Sequence, residues 1–206
     1  MLGVVHVVDD DESFRKALER RLRKAGYDVV TYANGRQVLD RLPDEDQLGC
    51  FLLDVRIPDL SGPELQRRLG ELGLSLPIIF LTGYADVRTT VQTIKAGAED
   101  YLVKPITSQR LLEAIEKAMV HHKLLRGSRN KLDALRSQIQ LLTPRERQVF
   151  ELVVRGKINK QIAVQLGATE RTIKAHRHKV MEKMQVQSLA ELVSIAERVG
   201  ILAAAN

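Results

Sequence analysis

Three consecutive aspartates, Asp9, Asp10 and Asp11, follow directly on the short apolar run VVHVV at 4–8. Like charges side by side repel, and each one set against a buried strand loses solvation. Such a cluster can bind a hard divalent cation, serve as acid and base, or cap the next helix. Capping gains only about 0.3–1 kcal/mol for an acidic residue in a first helical turn. It accounts for one or two aspartates, but not for Asp54, which ends a different apolar run, CFLLD. Thr82 closes the run PIIFLT, and Lys104-Pro105 closes DYLVKP. Mg²⁺ takes oxygen ligands and usually keeps waters plus substrate phosphate. Carboxylates, a cation, a hydroxyl and an ammonium together make a phosphoryl-binding site. A carboxylate can itself accept the phosphoryl group, in a transfer that needs mainly positioning and charge neutralisation.

The elements that must position these groups alternate along the front half. VVHVV, YDVVTY, CFLLD, PIIFLT and DYLVK read as strands. Between and after them, SFRKALERRLRKAG, GRQVLDRL, SGPELQRRLGELG, DVRTTVQTIKAG and SQRLLEAIEKAMVHH read as helices. In the first of these, Phe14, Leu18, Leu22 and Ala25 fall at helical spacing. Ser61 with Glu64, and Pro63 between them, form a capping-box pattern. Strict alternation predicts βαβ units and a parallel sheet, with ligands bound beyond the carboxyl ends of the strands. Every polar group named above then lands on one edge of the sheet.

The chain of 206 residues is long enough for two small domains, and its charge is divided unevenly. Residues 1–120 carry a net charge of −3 and residues 121–206 carry +9. A basic back half suits a phosphate backbone. Cys50 is the single cysteine, which excludes an internal disulfide and reads as a small core residue. No apolar stretch is long enough for a membrane span, and the N-terminus turns acidic too early for a signal peptide. The expectation is a soluble, cytoplasmic protein without a membrane partner.

Leu125, Leu132 and Ile139 are seven apart, with Leu135 and Leu142 at the other seam position. The last front-half helix is expected to extend into a short coiled-coil-like linker, or an amphipathic helix packed on either domain, with Gly127 and Ser128 interrupting the pattern. Beyond it the pattern is all helical. Thr143 with Glu146 and Ser188 with Glu191 are two further capping-box patterns, and Gly156 and Gly167 mark helix ends. Two short helices joined by a glycine-containing turn, the second one basic and starting near Thr169, describe a helix-turn-helix. His176 and His178 are two apart and do not share a helix face, and His121-His122 is equally weak, so neither pair predicts a metal site.

The stretches VVDDDE, LLDVRIPDLSG, FLTGYAD and AGAEDYLVKP resemble the receiver domain of bacterial two-component response regulators over about residues 3–120. The resemblance implies a flavodoxin-like fold with a five-stranded parallel sheet in the order 2-1-3-4-5. It implies Asp54 as phosphoacceptor. Asp10, Asp54 and the backbone carbonyl of Arg56 would bind Mg²⁺ (or Mn²⁺), with Asp9 acting largely through water. Lys104 would pair with the phosphoryl oxygens and its peptide bond to Pro105 would be cis, Thr82 would hydrogen-bond the phosphoryl group, and Tyr101 would be the aromatic switch. Arg56 and Tyr84 stand where residues tune phosphoryl lifetime, and Asp11 receives no ligand role.

Residues 142–200 resemble the LuxR-type helix-turn-helix of the FixJ and NarL response regulators. The recognition helix would span roughly 169–184, with Ile173, Val180 and Met184 inward. Lys174, Ala175 and His178 would face bases, with Arg171 and Thr172 alongside. Arg177, Lys179, Asn159 and Lys160 would reach phosphates. The implied organisation is a receiver over 1–121, a helical linker over 122–141 and a four-helix DNA-binding domain over 142–206. The implied partners are a sensor histidine kinase, promoter DNA, RNA polymerase and a second copy of the chain on phosphorylation. Two other readings stand beside this one. A haloacid-dehalogenase-type phosphatase needs a second carboxylate two residues after Asp54, where Arg56 cannot donate a proton. A DNA binder with a vestigial receiver would not need the intact set Asp9, Asp10, Asp54, Thr82 and Lys104.

Overall fold

A computed structural model describes residues 2–83 and 87–202, with the backbone alone at 87–89. The elements of the front half are β1 Val4–Val8, α1 Glu12–Lys24, β2 Asp28–Tyr32, α2 Gly35–Asp40, β3 Gly49–Asp54, α3 Gly62–Glu71, β4 Ile78–Thr82, α4 Val87–Lys95, β5 Asp100–Val103 and α5 Ser108–Gln140. The strands form one parallel sheet in the order β2-β1-β3-β4-β5, as expected. Tyr84, assigned to phosphoryl lifetime above, lies outside the described residues, as does Asp86 at the head of the fourth helical stretch.

Alternation within the central strands sorts their side chains onto two cores. Val5, Val7, Cys50, Leu52, Ile79 and Leu81 pack with Leu18 and Leu22 of α1 and with Leu111, Ile115 and Ala118 of α5. Val8, Phe51, Leu53, Ile78 and Phe80 pack on the other face with Val38 of α2 and with Leu65 and Leu69 of α3. β1, β3 and β4 are buried along their whole length, which requires cover on both faces.

The helices start on side-chain caps. Asp11 accepts from the backbone N–H groups of Ser13 and Phe14, so the third aspartate of the run is spent on α1. Ser61 caps α3 by accepting from Glu64 N, but the expected reciprocal bond is not made. The Glu64 carboxylate instead pairs with Arg67 and Arg68 one turn on. Two opposite charges at helical spacing outcompete one neutral backbone N–H.

The chain divides into two compact units, Met1–Arg126 and Gly127–Asn206. The second unit contains the end of α5, then α6 Pro144–Val154, α7 Asn159–Leu166, α8 Glu170–Lys183 and α9 Leu189–Arg198. Its core joins Ile139 and Leu142 to Val149, Phe150, Ile162, Ile173, Val180, Met184 and Leu192. Helix α5 runs unbroken through Gly127 and Ser128, so what these residues interrupt is the heptad pattern and not the helix. Of the heptad positions, Ile139 and Leu142 are used by the core of their own unit, leaving Leu125, Leu132 and Leu135 at the surface or half-buried. The Thr143–Glu146 capping box forms in full. At α9, Ser188 accepts from Glu191 N, while Glu191 returns to Gln187 N and the Ser188 hydroxyl rather than to Ser188 N.

Candidate functional site

Parallel pairing places the strand ends side by side. Val8 lies opposite Leu53, Asp54 opposite Leu81, and Thr82 opposite Val103. The turns beyond are tied across the sheet, with Asp9 N donating to Tyr32 O and Lys104 N donating to Thr82 O. Asp9, Asp54 and Lys104 are brought together at this edge. The Lys104 ammonium donates to Asp9 Oδ2 at 2.6 Å and to Asp54 Oδ2 at 2.5 Å. Asp9 Oδ1 accepts from Asp11 N, and Asp54 Oδ1 accepts from Arg56 N. One carboxylate oxygen each of Asp9, Asp10 and Asp54 lies within 4.8 Å of the others. Asp9 and Asp54 are buried and Asp10 is exposed. The all-oxygen, largely anionic donor set fits a hard divalent cation such as Mg²⁺.

Burial raises the Asp9 carboxyl above its ordinary range, against the hydrogen bonds from Lys104 and Asp11, and the charge of Asp54 adds to the rise. Burial alone would lower Lys104, but its hydrogen bonds to Asp54 and Asp9 outweigh that, and its pKa lies above that of a free lysine. The ammonium is therefore a fixed charge at any physiological pH. The Lys104–Pro105 bond is cis.

Thr82 is buried at the end of β4. Tyr101 is half-buried beside Phe80, with ring centroids 6.3 Å apart. Its hydroxyl is buried without a hydrogen-bond partner among the described residues. Behind Asp54 lies Gly62, where an added Cβ would collide with the Asp54 carbonyl oxygen and come within 2.9 Å of the Phe80 ring.

Two neighbours of the pocket went unassigned in the sequence. The Lys104 ammonium lies 4.1 Å from the centroid of the Phe14 ring, and Arg15 Nη1 donates to the Asp9 carbonyl. Helical spacing marks Phe14 as a core residue, and it does pack against the core. The available signal was its place one turn after the aspartate run.

In the second unit, α8 starts on Thr169, whose hydroxyl accepts from Thr172 N. Ile173, Val180 and Met184 are buried, while Arg171, Thr172, Lys174, Ala175, His178 and Lys179 are exposed. Arg177 Nη1 donates to Asn159 Oδ1 at 2.7 Å, which joins the first residue of α7 to α8, and Lys160 is exposed beside them. His121 pairs with Glu99, and His122 accepts from Gly49 N, so adjacent histidines serve separate structural contacts. No described helix is long and apolar enough to cross a membrane.

Comparison with known proteins gives two family matches. Residues 5–116 match the family described as "Response regulator receiver domain", and residues 140–196 match "Bacterial regulatory proteins, luxR family". The chain is 41% identical to Nodulation protein W of Bradyrhizobium diazoefficiens over 98% of its own length and 88% of that protein. It is 40% identical to Transcriptional regulatory protein FixJ of Rhizobium meliloti, over 93% of its own length and 94% of that protein. The solved structure of the response regulator StyR is similar at 43% identity, with a TM-score of 0.82 over 95% of this chain and 98% of that one.

Proposed function

The chain belongs to the two-component response regulators that carry a LuxR-type DNA-binding domain, and on that premise we propose that Asp54 accepts a phosphoryl group and thereby controls sequence-specific DNA binding. The observation that carries this reading is the pairing of the Lys104 ammonium with both Asp54 and Asp9 at the carboxyl edge of the sheet. A sensor histidine kinase supplies the group. An Asp54 carboxylate oxygen attacks phosphorus in line, an O–P bond forms, and the N–P bond of the phosphohistidine breaks. Its electron pair stays on the imidazole nitrogen, which is protonated as it leaves. Lys104 balances charge on the phosphoryl oxygens throughout.

Asp10, Asp54 and the carbonyl of Arg56 would hold Mg²⁺ (or Mn²⁺), with Asp9 acting through water. When bound, the ion neutralises charge on the transferring group. Thr82 donates its hydroxyl to the phosphoryl group of the modified protein, and Tyr101 turns with it. This two-state element biases the surface built by α4, β5 and α5. Val91, Ile94 and Val103 are 47%, 44% and 47% exposed there, an apolar face that a second copy of the chain would cover. Paired α8 helices then read two half-sites about one helical turn, or a multiple of it, apart. Lys174, Ala175 and His178 face bases with Arg171 and Thr172 alongside, while Lys179, Lys160, Arg177 and Asn159 hold the backbone. The regulator works in the bacterial cytoplasm with RNA polymerase as a further partner. The receiver, linker and DNA-binding boundaries are 1–121, 122–141 and 142–206.

The test is covalent. Incubation with acetyl phosphate and Mg²⁺ adds one hydroxylamine-labile phosphoryl group to the wild type and none to Asp54→Ala. A wild type that takes up no phosphoryl group contradicts the reading.

A further inference from the structure

We propose that Phe14 is a positioning residue for Lys104: its ring face holds the ammonium between the two carboxylates of the acidic pocket, ready for an incoming phosphoryl group. The inference rests on the reading of Asp54 as phosphoacceptor.

An ammonium has three N–H donors. Two of those on Lys104 go to Asp9 Oδ2 and Asp54 Oδ2. The ring of Phe14 lies 4.1 Å from the same nitrogen, well inside the roughly 6 Å over which a cation is attracted by an aromatic face. The lysine side chain is only 19% exposed, so water competes weakly for this contact. The carboxylates take two of its three donors, at the end of a flexible four-carbon stem. The ring adds a third contact.

The ring is itself fixed by the turn that fixes the site. The Phe14 backbone N–H donates to the Asp11 cap at 3.0 Å. The next residue, Arg15, donates from Nη1 to the Asp9 carbonyl. The ring also packs against the core that contains Leu18 and Leu111. One helical turn thus places both a carboxylate of the pocket and the ring that faces its counter-charge. A leucine would fill much of the same space and supply no attraction for a cation.

Two measurements test this on the full-length protein. The first is the proton spectrum of Lys104. A ring at this distance shifts the Lys104 ε-methylene protons upfield of those of the other lysines. The shift persists in Phe14→Tyr and disappears in Phe14→Leu. The second is the rate of phosphoryl uptake from acetyl phosphate with Mg²⁺. Phe14→Leu lowers the rate at saturating donor by about threefold to tenfold with little change in KM, and Phe14→Tyr restores it to within about twofold. Unshifted Lys104 protons in the wild type overturn the proposal. So does a Phe14→Leu rate equal to that of the wild type, or a Phe14→Tyr rate as low as that of Phe14→Leu. Absence of uptake by the wild type would instead remove the phosphoacceptor reading, and this inference with it.

Discussion

Gly62 stands directly behind Asp54: a methyl group on its Cα would collide with the Asp54 carbonyl oxygen and crowd the Phe80 ring and the Val55 backbone. Gly62 N also donates to Val55 O, so the first residue of α3 is locked to the residue that follows β3. Gly62→Ala must therefore push the turn that carries the acceptor. Overpacking of this kind costs about 1–3 kcal/mol. Urea unfolding of the variant should show that loss, and phosphoryl uptake should slow with it. Unchanged stability and uptake would mean that the turn yields freely.

Lys104 is the counter-charge for two buried carboxylates. Lys104→Met leaves Asp9, already raised by burial, without its ammonium. Removing one partner of a buried ion pair costs about 3 kcal/mol or more. A raised folded pKa means that stability is present at low pH and lost as pH rises through that pKa. The variant should therefore be weakest near neutral pH. Millimolar Mg²⁺ should raise its Tm by more than it raises that of the wild type, with reversal by a chelator. No Mg²⁺ response in either protein would contradict the assignment of the carboxylates as a cation site.

Acid should unfold the two units through different groups. His6 is buried against Phe51, with Nδ1 3.2 Å from the Tyr32 hydroxyl, and burial lowers its pKa from 6.5 to about 4. A histidine with a depressed folded pKa costs stability as pH falls below 6.5, about 2–3 kcal/mol by pH 4. The double variant His6→Leu with Tyr32→Phe should flatten that limb for the receiver. In the second unit, hydrogen bonds from Lys183 and Thr143 draw Glu146 down to about 2. Its contribution is full above 4.5 and is lost as pH falls through about 2. Glu146→Gln should remove that lower limb. Thermal melts between pH 7 and pH 2, followed unit by unit, separate the two.

On DNA, Lys174→Ala and Lys179→Ala should differ in kind. Loss of a base-facing lysine costs about 1–3 kcal/mol on the preferred site and relaxes specificity at one position. Loss of a phosphate-facing lysine weakens all sequences alike and reduces the salt slope by about one. Asn159→Ala should release Arg177 from the bond that joins α7 to α8. Anisotropy titrations at several salt concentrations read all three. Equal losses on specific and random DNA for Lys174→Ala would remove it from the base-facing set.

The strand ends and their polar groups were legible because short continuous apolar runs, as strands covered on both faces require, stop at defined residues. Asp54, Thr82 and Lys104 are each the last or next-to-last residue of such a run, and parallel pairing carries them to one edge. Caps were legible where one side chain has one natural target, as at Thr143. They were not legible where a better partner waits one turn away, as with Glu64 and its two arginines. Phe14 illustrates the harder limit. Its spacing on α1 states its core role fully, whereas its contact with Lys104 joins residues ninety positions apart. The continuity of α5 through Gly127 also overrode a local signal, since one glycine costs only about 1 kcal/mol in a helix interior.

The central claim is that a phosphoryl group on Asp54 controls DNA binding by the basic domain. The direct measurement is fluorescence anisotropy on a selected genomic DNA site, with and without beryllofluoride and Mg²⁺, for the wild type and Asp54→Ala. Tighter specific binding in the treated wild type alone is the predicted result. Equal binding in all four conditions would contradict it, leaving a DNA-binding protein whose receiver no longer switches it.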